Sequence, residues 1–84
     1  MHETQQNKII DTICAELEPL NSEGVEITAD TDIATELNLD SVKVMDLIFA
    51  LEEAYDVSIP MNDLADITRV RELAALVGHY LEDA

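Results

Sequence analysis

The sequence predicts an all-α fold, a small bundle of three main helices plus one short helix, with a long loop between the first two. Three observations predict it. Apolar residues recur at helical spacing in three separate stretches. Residues that start or stop helices, namely Thr4, Asp40 and Thr68 on one side and Pro19 and Pro60 on the other, bracket those stretches. The strand-like piece Asp56-Val57-Ser58-Ile59 is too short to build a sheet.

Helix I is expected over residues 4–18. Ile9, Ile10, Ile13, Cys14 and Leu17 form its apolar arc, Thr4 is its candidate N-cap, and Pro19 limits it. Residues 19–39 connect it to helix II. A structureless loop of that length is unusual, and Val25, Ile27, Ile33, Leu37 and Leu39 look like anchors that pin it to the core. A helical turn is expected in "TDIATEL", capped by Thr31 or Asp32. Helix II is expected over 40–55, with "DVSIP" ending it because Pro60 cannot continue a helix. A short helix III is expected over 61–66. Helix IV is expected over 68–82, capped by Thr68, with Val70, Leu73, Ala74, Val77, Tyr80 and Leu81 on its apolar face.

At 84 residues the chain is read as one domain, 1–84. It is 48% hydrophobic, so it can build a core despite its charge. Trp is absent and Phe49, Tyr55 and Tyr80 are the only aromatics, so aliphatic side chains must fill that core. Nineteen acids face four bases, a formal charge of −15. Nucleic acid and anionic membrane surfaces are disfavoured partners, since both would be repelled. A basic protein surface is the natural one. Cys14 is the only cysteine, which leaves no intrachain disulfide and fits a reducing cytoplasm. The N-terminal "MHETQQNKII" has no apolar signal region, no run is long enough to span a bilayer, and a monomer is expected.

Helix II carries two apolar arcs. Val44, Leu47, Ile48, Leu51 and Tyr55 lie on one, the core face. Val42, Met45 and Phe49 lie on a second, roughly 140° away at about 100° per residue, flanked by Asp46, Glu52 and Glu53. Two readings stand. Both arcs are buried, one against each neighbouring helix, or the second is an exposed docking surface rimmed by acids for a partner with a Lys/Arg rim.

Ser41 stands in the first turn of this helix, behind Asp40. As a nucleophile in its own right it lacks a base, since His2 and His79 belong to no recognisable motif and no GxSxG elbow is present. Either Asp40 or Ser41 can be a plain helix cap. A helix N-terminus also tolerates an attached phosphate, through its unpaired N–H groups and partial positive charge. The acidic stretch "TADTDIATELNLD" lacks the central Gly of a calcium loop, so no dedicated metal site is expected. Cys14 on the apolar arc reads as a buried, inert thiol.

The segment "LNLDSVKVMDLIFALEEAYDVSIP" resembles the attachment segment of acyl carrier proteins. The resemblance rests on Asp40-Ser41-Val42 opening a helix, Leu51-Glu52-Glu53 closing it, Tyr55-Asp56-Val57-Ser58-Ile59-Pro60 after it, and Ile67-Thr68-Arg69-Val70 at the next helix start. It covers almost the whole chain, and the combined spacing is specific where the triplet alone is not.

The resemblance implies a non-catalytic carrier. A phosphopantetheinyl transferase would move 4'-phosphopantetheine from coenzyme A to Ser41. The arm would carry acyl groups as thioesters to acyl-transferring or acyl-ligating enzymes with basic docking surfaces. Asp40, Val42, Lys43, Met45, Asp46, Phe49, Glu52 and Glu53 match the family's partner-recognition region, and Val44, Leu47, Ile48 and Leu51 would line or support an acyl-sheltering core. Three departures mark the chain: Val42 for the usual Leu, Lys43 for a common acid, and Asn38-Leu39 for a small pair such as Gly-Ala. They align it with specialised stand-alone carriers serving lipid or secondary-product pathways, rather than with housekeeping fatty-acid synthesis. The Gly-Gly-rich approach of peptidyl carriers is missing, which disfavours amino-acyl cargo. The rival reading is an unmodified acidic interaction module of the same fold.

Overall fold

A computed structural model of the chain describes residues 5–83. Thr4 and His2 therefore lie outside the described residues. Four α-helices follow one another: α1 Gln5–Leu17, α2 Ser41–Tyr55, α3 Met61–Leu64 and α4 Val70–Asp83. A single 3₁₀ turn, Glu18–Leu20, extends α1 and takes in Pro19. The described residues contain no strand, only one isolated bridge between Asp32 and Arg69. The fold is thus the all-α bundle, with α1 packed on both α4 and α2.

Burial follows the helical periods. Ile9, Ile13 and Leu17 of α1 meet Leu47, Ile48 and Leu51 of α2 and Val70, Leu73, Ala74 and Val77 of α4 in one core. Each such Val, Leu or Ile side chain contributes about 1.5–3 kcal/mol when fully buried. Tyr55, on the core arc of α2, is only half-buried, and its phenol O–H donates to the Thr12 hydroxyl at 2.9 Å, joining α2 to α1. Gly78 is buried where α4 lies close to α1. A Cβ there would stand 3.2 Å from Gln6 Oε1, so a small residue suits the contact. Cys14 is half-buried, and its thiol pKa is pushed up by burial and then by Asp11 and Glu18, which keeps it protonated.

The long loop is tied down by two devices. Ile33 and Leu37 enter the core, with Val25, Ile27 and Leu39 packed partly against it. Its backbone then clasps the start of α4. The Val70 N–H donates to the Thr31 carbonyl at 3.1 Å, Arg71 N–H to the Ala29 carbonyl at 2.8 Å, and Ile33 N–H to the Thr68 carbonyl at 2.8 Å. Two first-turn N–H groups of α4, which have no partner within the helix, are thus satisfied by the loop.

Local capping agrees with the sequence expectation in one place and departs from it in another. In "TDIATEL", Asp32 is the cap: its carboxylate accepts from Ala34 N–H at 3.1 Å and Thr35 N–H at 2.9 Å, while Glu36 returns a bond to the Asp32 N–H. Thr31 is instead buried, its hydroxyl donating to the Glu26 carbonyl and accepting from Thr28 N–H. At α4, Thr68 is not the cap. Its hydroxyl and its N–H both donate to Glu72, which also accepts from Arg69 N–H, so the carboxylate does the capping from inside the helix. The helix begins at Val70 because the backbone at Thr68 and Arg69 is paired with the loop. Likewise α3 closes at Leu64, where Ile67 N–H turns back to the Leu64 carbonyl at 3.1 Å.

Candidate functional site

The head of α2 is set by Asp40. Its backbone is extended, and its carboxylate accepts from the Lys43 N–H at 2.9 Å while its carbonyl accepts from the Val44 N–H at 3.0 Å. Asp40 is therefore the N-cap, and Ser41 is the first helical residue. Ser41 is exposed, and its hydroxyl makes no hydrogen bond among the described residues. The residue two before Asp40 is Asn38, at φ 54° in the left-handed region, where Asn is among the residues best tolerated after Gly.

Ser41 stands at the mouth of a cleft of about 390 Å³. The loop supplies Ile33, Ala34 and Leu39 to its walls, and α2 supplies Val44 and Met45. Met61 and Leu64 of α3, with Ala65 and Ile67 beyond it, form the opposite wall. Asp40 and Ser41 are the only polar residues in that lining, and both are exposed. The α3 wall was not expected from the sequence. A four-residue helix carries no periodic signal, and the one readable sign was an apolar Met directly after Pro60.

The second arc of α2 splits in the structure. Val42 is 66% exposed and Phe49 57%, so neither is covered by a neighbouring helix. Met45 is half-buried, because it turns into the cleft rather than outward. Met61, 67% exposed, adds an apolar side chain across the cleft from Val44 and Met45. Lys43, Asp46 and Glu53 are exposed on the same helix, and Lys43 makes no ion pair among the described residues. Glu52 is half-buried. Its Oε2 accepts the Ile59 N–H at 2.8 Å, so this acid is also part of the fold. Of the four residues expected to line or support the core, Val44 packs against it and also lines the cleft, whereas Leu47, Ile48 and Leu51 are packed into the interior and do not line the cleft.

Comparison with known proteins bears on this geometry. The phosphopantetheine attachment site family matches residues 7–77. The chain belongs to the acyl carrier protein family.

Its relatives include an acyl carrier protein of Syntrophobacter fumaroxidans, 38% identical over 71 residues that cover 81% of this chain and 80% of that one. One from Prochlorococcus marinus is 36% identical over 73 residues, covering 86% and 91%. One from Helicobacter pylori is 36% identical over 66 residues, covering 79% and 80%. The cofactor of such a carrier is covalent 4'-phosphopantetheine. The head of α2 would tolerate a phosphate: the exposed Ser41 stands at a helix N-terminus whose Ser41 and Val42 N–H groups make no hydrogen bond among the described residues. No described helix is long and apolar enough to cross a membrane, and no described cluster of three or more His, Cys, Asp or Glu could hold a metal ion.

Proposed function

We propose that Ser41 is the attachment site of the arm and that the chain is a non-catalytic, cytoplasmic, monomeric carrier of acyl groups. One observation carries this reading. Asp40 alone caps α2, so the Ser41 hydroxyl has no structural role and lies at the mouth of an apolar cleft. Once attached, the arm supplies a terminal thiol on which cargo rides as a thioester. The chain's own residues do the rest. Asp40 holds the helix head that presents Ser41. The cleft offers hydrocarbon contacts and almost no polar ones, which favours acyl cargo with an aliphatic body over amino-acyl cargo.

Partners would dock on the exposed part of α2. Val42 and Phe49 give apolar anchors, and Asp46, Glu52 and Glu53 give acids for a basic rim. Asp40 and Met45 contribute less directly, one committed to the cap and the other to the cleft. Lys43 inverts the charge beside Ser41. That inversion, with Val42, supports a specialised carrier of lipid or secondary-product synthesis.

Intact-mass measurement after incubation with coenzyme A and a broad-specificity phosphopantetheinyl transferase tests the reading. The expected result is one added arm, located by fragmentation at Ser41. A chain that stays unmodified with an active transferase would favour an acidic docking module instead.

A further inference from the structure

Val42, Met45, Phe49 and Glu52 follow an i, i+3, i+7, i+10 pattern, so they make one stripe along α2. The stripe has two edges. Val42 and Phe49 form an outer, exposed edge. Met45 and Glu52 fall roughly 20° apart and form an inner, half-buried edge facing the segment after α2. Met45 touches the cleft, and Glu52 holds the Ile59 N–H. Ile59 is buried and lies two residues before Met61, where the far wall of the cleft begins. A second carboxylate secures that wall from the other side: Asp63 of α3 accepts the hydroxyl of Tyr80 on α4.

We propose that Glu52 is a positioning residue that couples docking to the cleft. Its carboxylate fixes the α3 wall through the Ile59 amide. A cationic side chain of a basic partner seated on Val42 and Phe49 reaches the neighbouring Glu52 and competes for that carboxylate. Loss of the Ile59 bond loosens α3 and opens the cleft beside Ser41. The acid that attracts the partner is thereby the one that releases the wall, so cargo is freed where it is to be used. This inference rests on the carrier reading of Ser41 and the cleft.

The test is amide hydrogen exchange on the whole apo chain, with and without a phosphopantetheinyl transferase that has a basic docking surface, in the absence of coenzyme A. Glu52→Ala should speed exchange at Ile59 and across Met61–Leu64 by about tenfold or more, the scale of one lost bond to a charged acceptor, with α1 and α4 unchanged. Glu52→Gln keeps an acceptor and should restore slow exchange. Glu53→Gln should leave it untouched. Saturating transferase should speed Ile59 exchange in the parent chain and not in Glu52→Gln, whose neutral amide attracts no cation. Unchanged Ile59 exchange in Glu52→Ala would overturn the tether. Ile59 exchange that stays the same or slows when the transferase binds the parent chain would overturn the coupling. Failure of the carrier reading shows separately, as absence of the added arm at Ser41 when coenzyme A is supplied.

Discussion

On the proposed attachment at Ser41, Asp40 and Ser41 divide two roles that could have fallen on one residue. Because Asp40 accepts the Lys43 N–H, Asp40→Ala should cost about 1 kcal/mol. Ser41→Ala should change stability by less than about 0.5 kcal/mol, as expected for an exposed residue whose side chain does not do the capping, and should never gain the arm. Thermal melts and intact mass on the two variants check both statements, and an arm found on Ser41→Ala would remove the assignment. Lys43 is the other informative residue here. Lys43→Glu should raise the transfer rate a few-fold with enzymes suited to acidic carriers and lower it with this carrier's own partner, with effects that shrink as salt is added. Equal rates for both proteins with both enzymes would show that Lys43 does not touch partners.

At the scale of elements, α2 shows how far the sequence could be read. Its two arcs were visible in the spacing, and so was the choice between burial and docking, but only the placement of neighbours reveals that Val42 and Phe49 stay outside while Met45 turns in. Phe49→Ala should accordingly shift the melting temperature by no more than about 2–4 °C, since an exposed substitution costs within about 0.5 kcal/mol, while slowing modification by the transferase. Met45→Ala should cost more, about 1 kcal/mol, short of the 2–5 kcal/mol of a fully buried Met. The double role of Glu52 was not legible, because a backbone bond seven residues along depends on how the chain returns after Asp56 at φ 56°. The α3 wall escaped for a related reason: four residues are too few to show a period. At α4 the capping box was half-readable. Thr68 was readable as a residue at the helix start, but the loop's pairing with Thr68 moves that start to Val70 and leaves the capping to Glu72, which the sequence reading did not single out.

For the whole molecule, a charge of −15 on 84 residues opposes compaction. Raising ionic strength from about 10 to about 150 mM should lift the melting temperature by several degrees through screening. A melt indifferent to salt would show that repulsion is unimportant. The pH dependence has two limbs of opposite sign. Between pH 7 and about 5, stability should rise as the chain nears its isoelectric point of about 4.1 and repulsion fades. Below that, a loss takes over. Hydrogen bonds from Thr35 and Ala34 amides hold the Asp32 carboxyl below its ordinary value of 3.8, and those from Thr68 and Arg69 hold Glu72 below 4.5. Groups lowered in the folded state stabilise it above their unfolded values, and that contribution disappears as pH falls through the folded ones. Melts should therefore pass through a maximum, and Glu72→Gln should flatten the acid limb. Stability that climbs steadily below pH 4 would contradict this.

The bonds joining Ile33 to Thr68 and Thr31 to Val70 act as a drawstring around the middle of the chain. Between them lies the stretch from Ala34 to Ile67, in which α2 is packed on α1 through Leu47, Ile48 and Leu51 and so belongs with α1 and α4 to a frame, whereas α3 buries no residue and hangs on that frame as a pouch. A pouch closed at its neck can flex without unfastening the frame, since few restraints need to break together. A carrier that must take in and give up cargo many times could therefore wear at the pouch and stay intact at the frame. Proteases acting on the native protein should then cut first within 56–67, leaving the paired ends of the chain still joined.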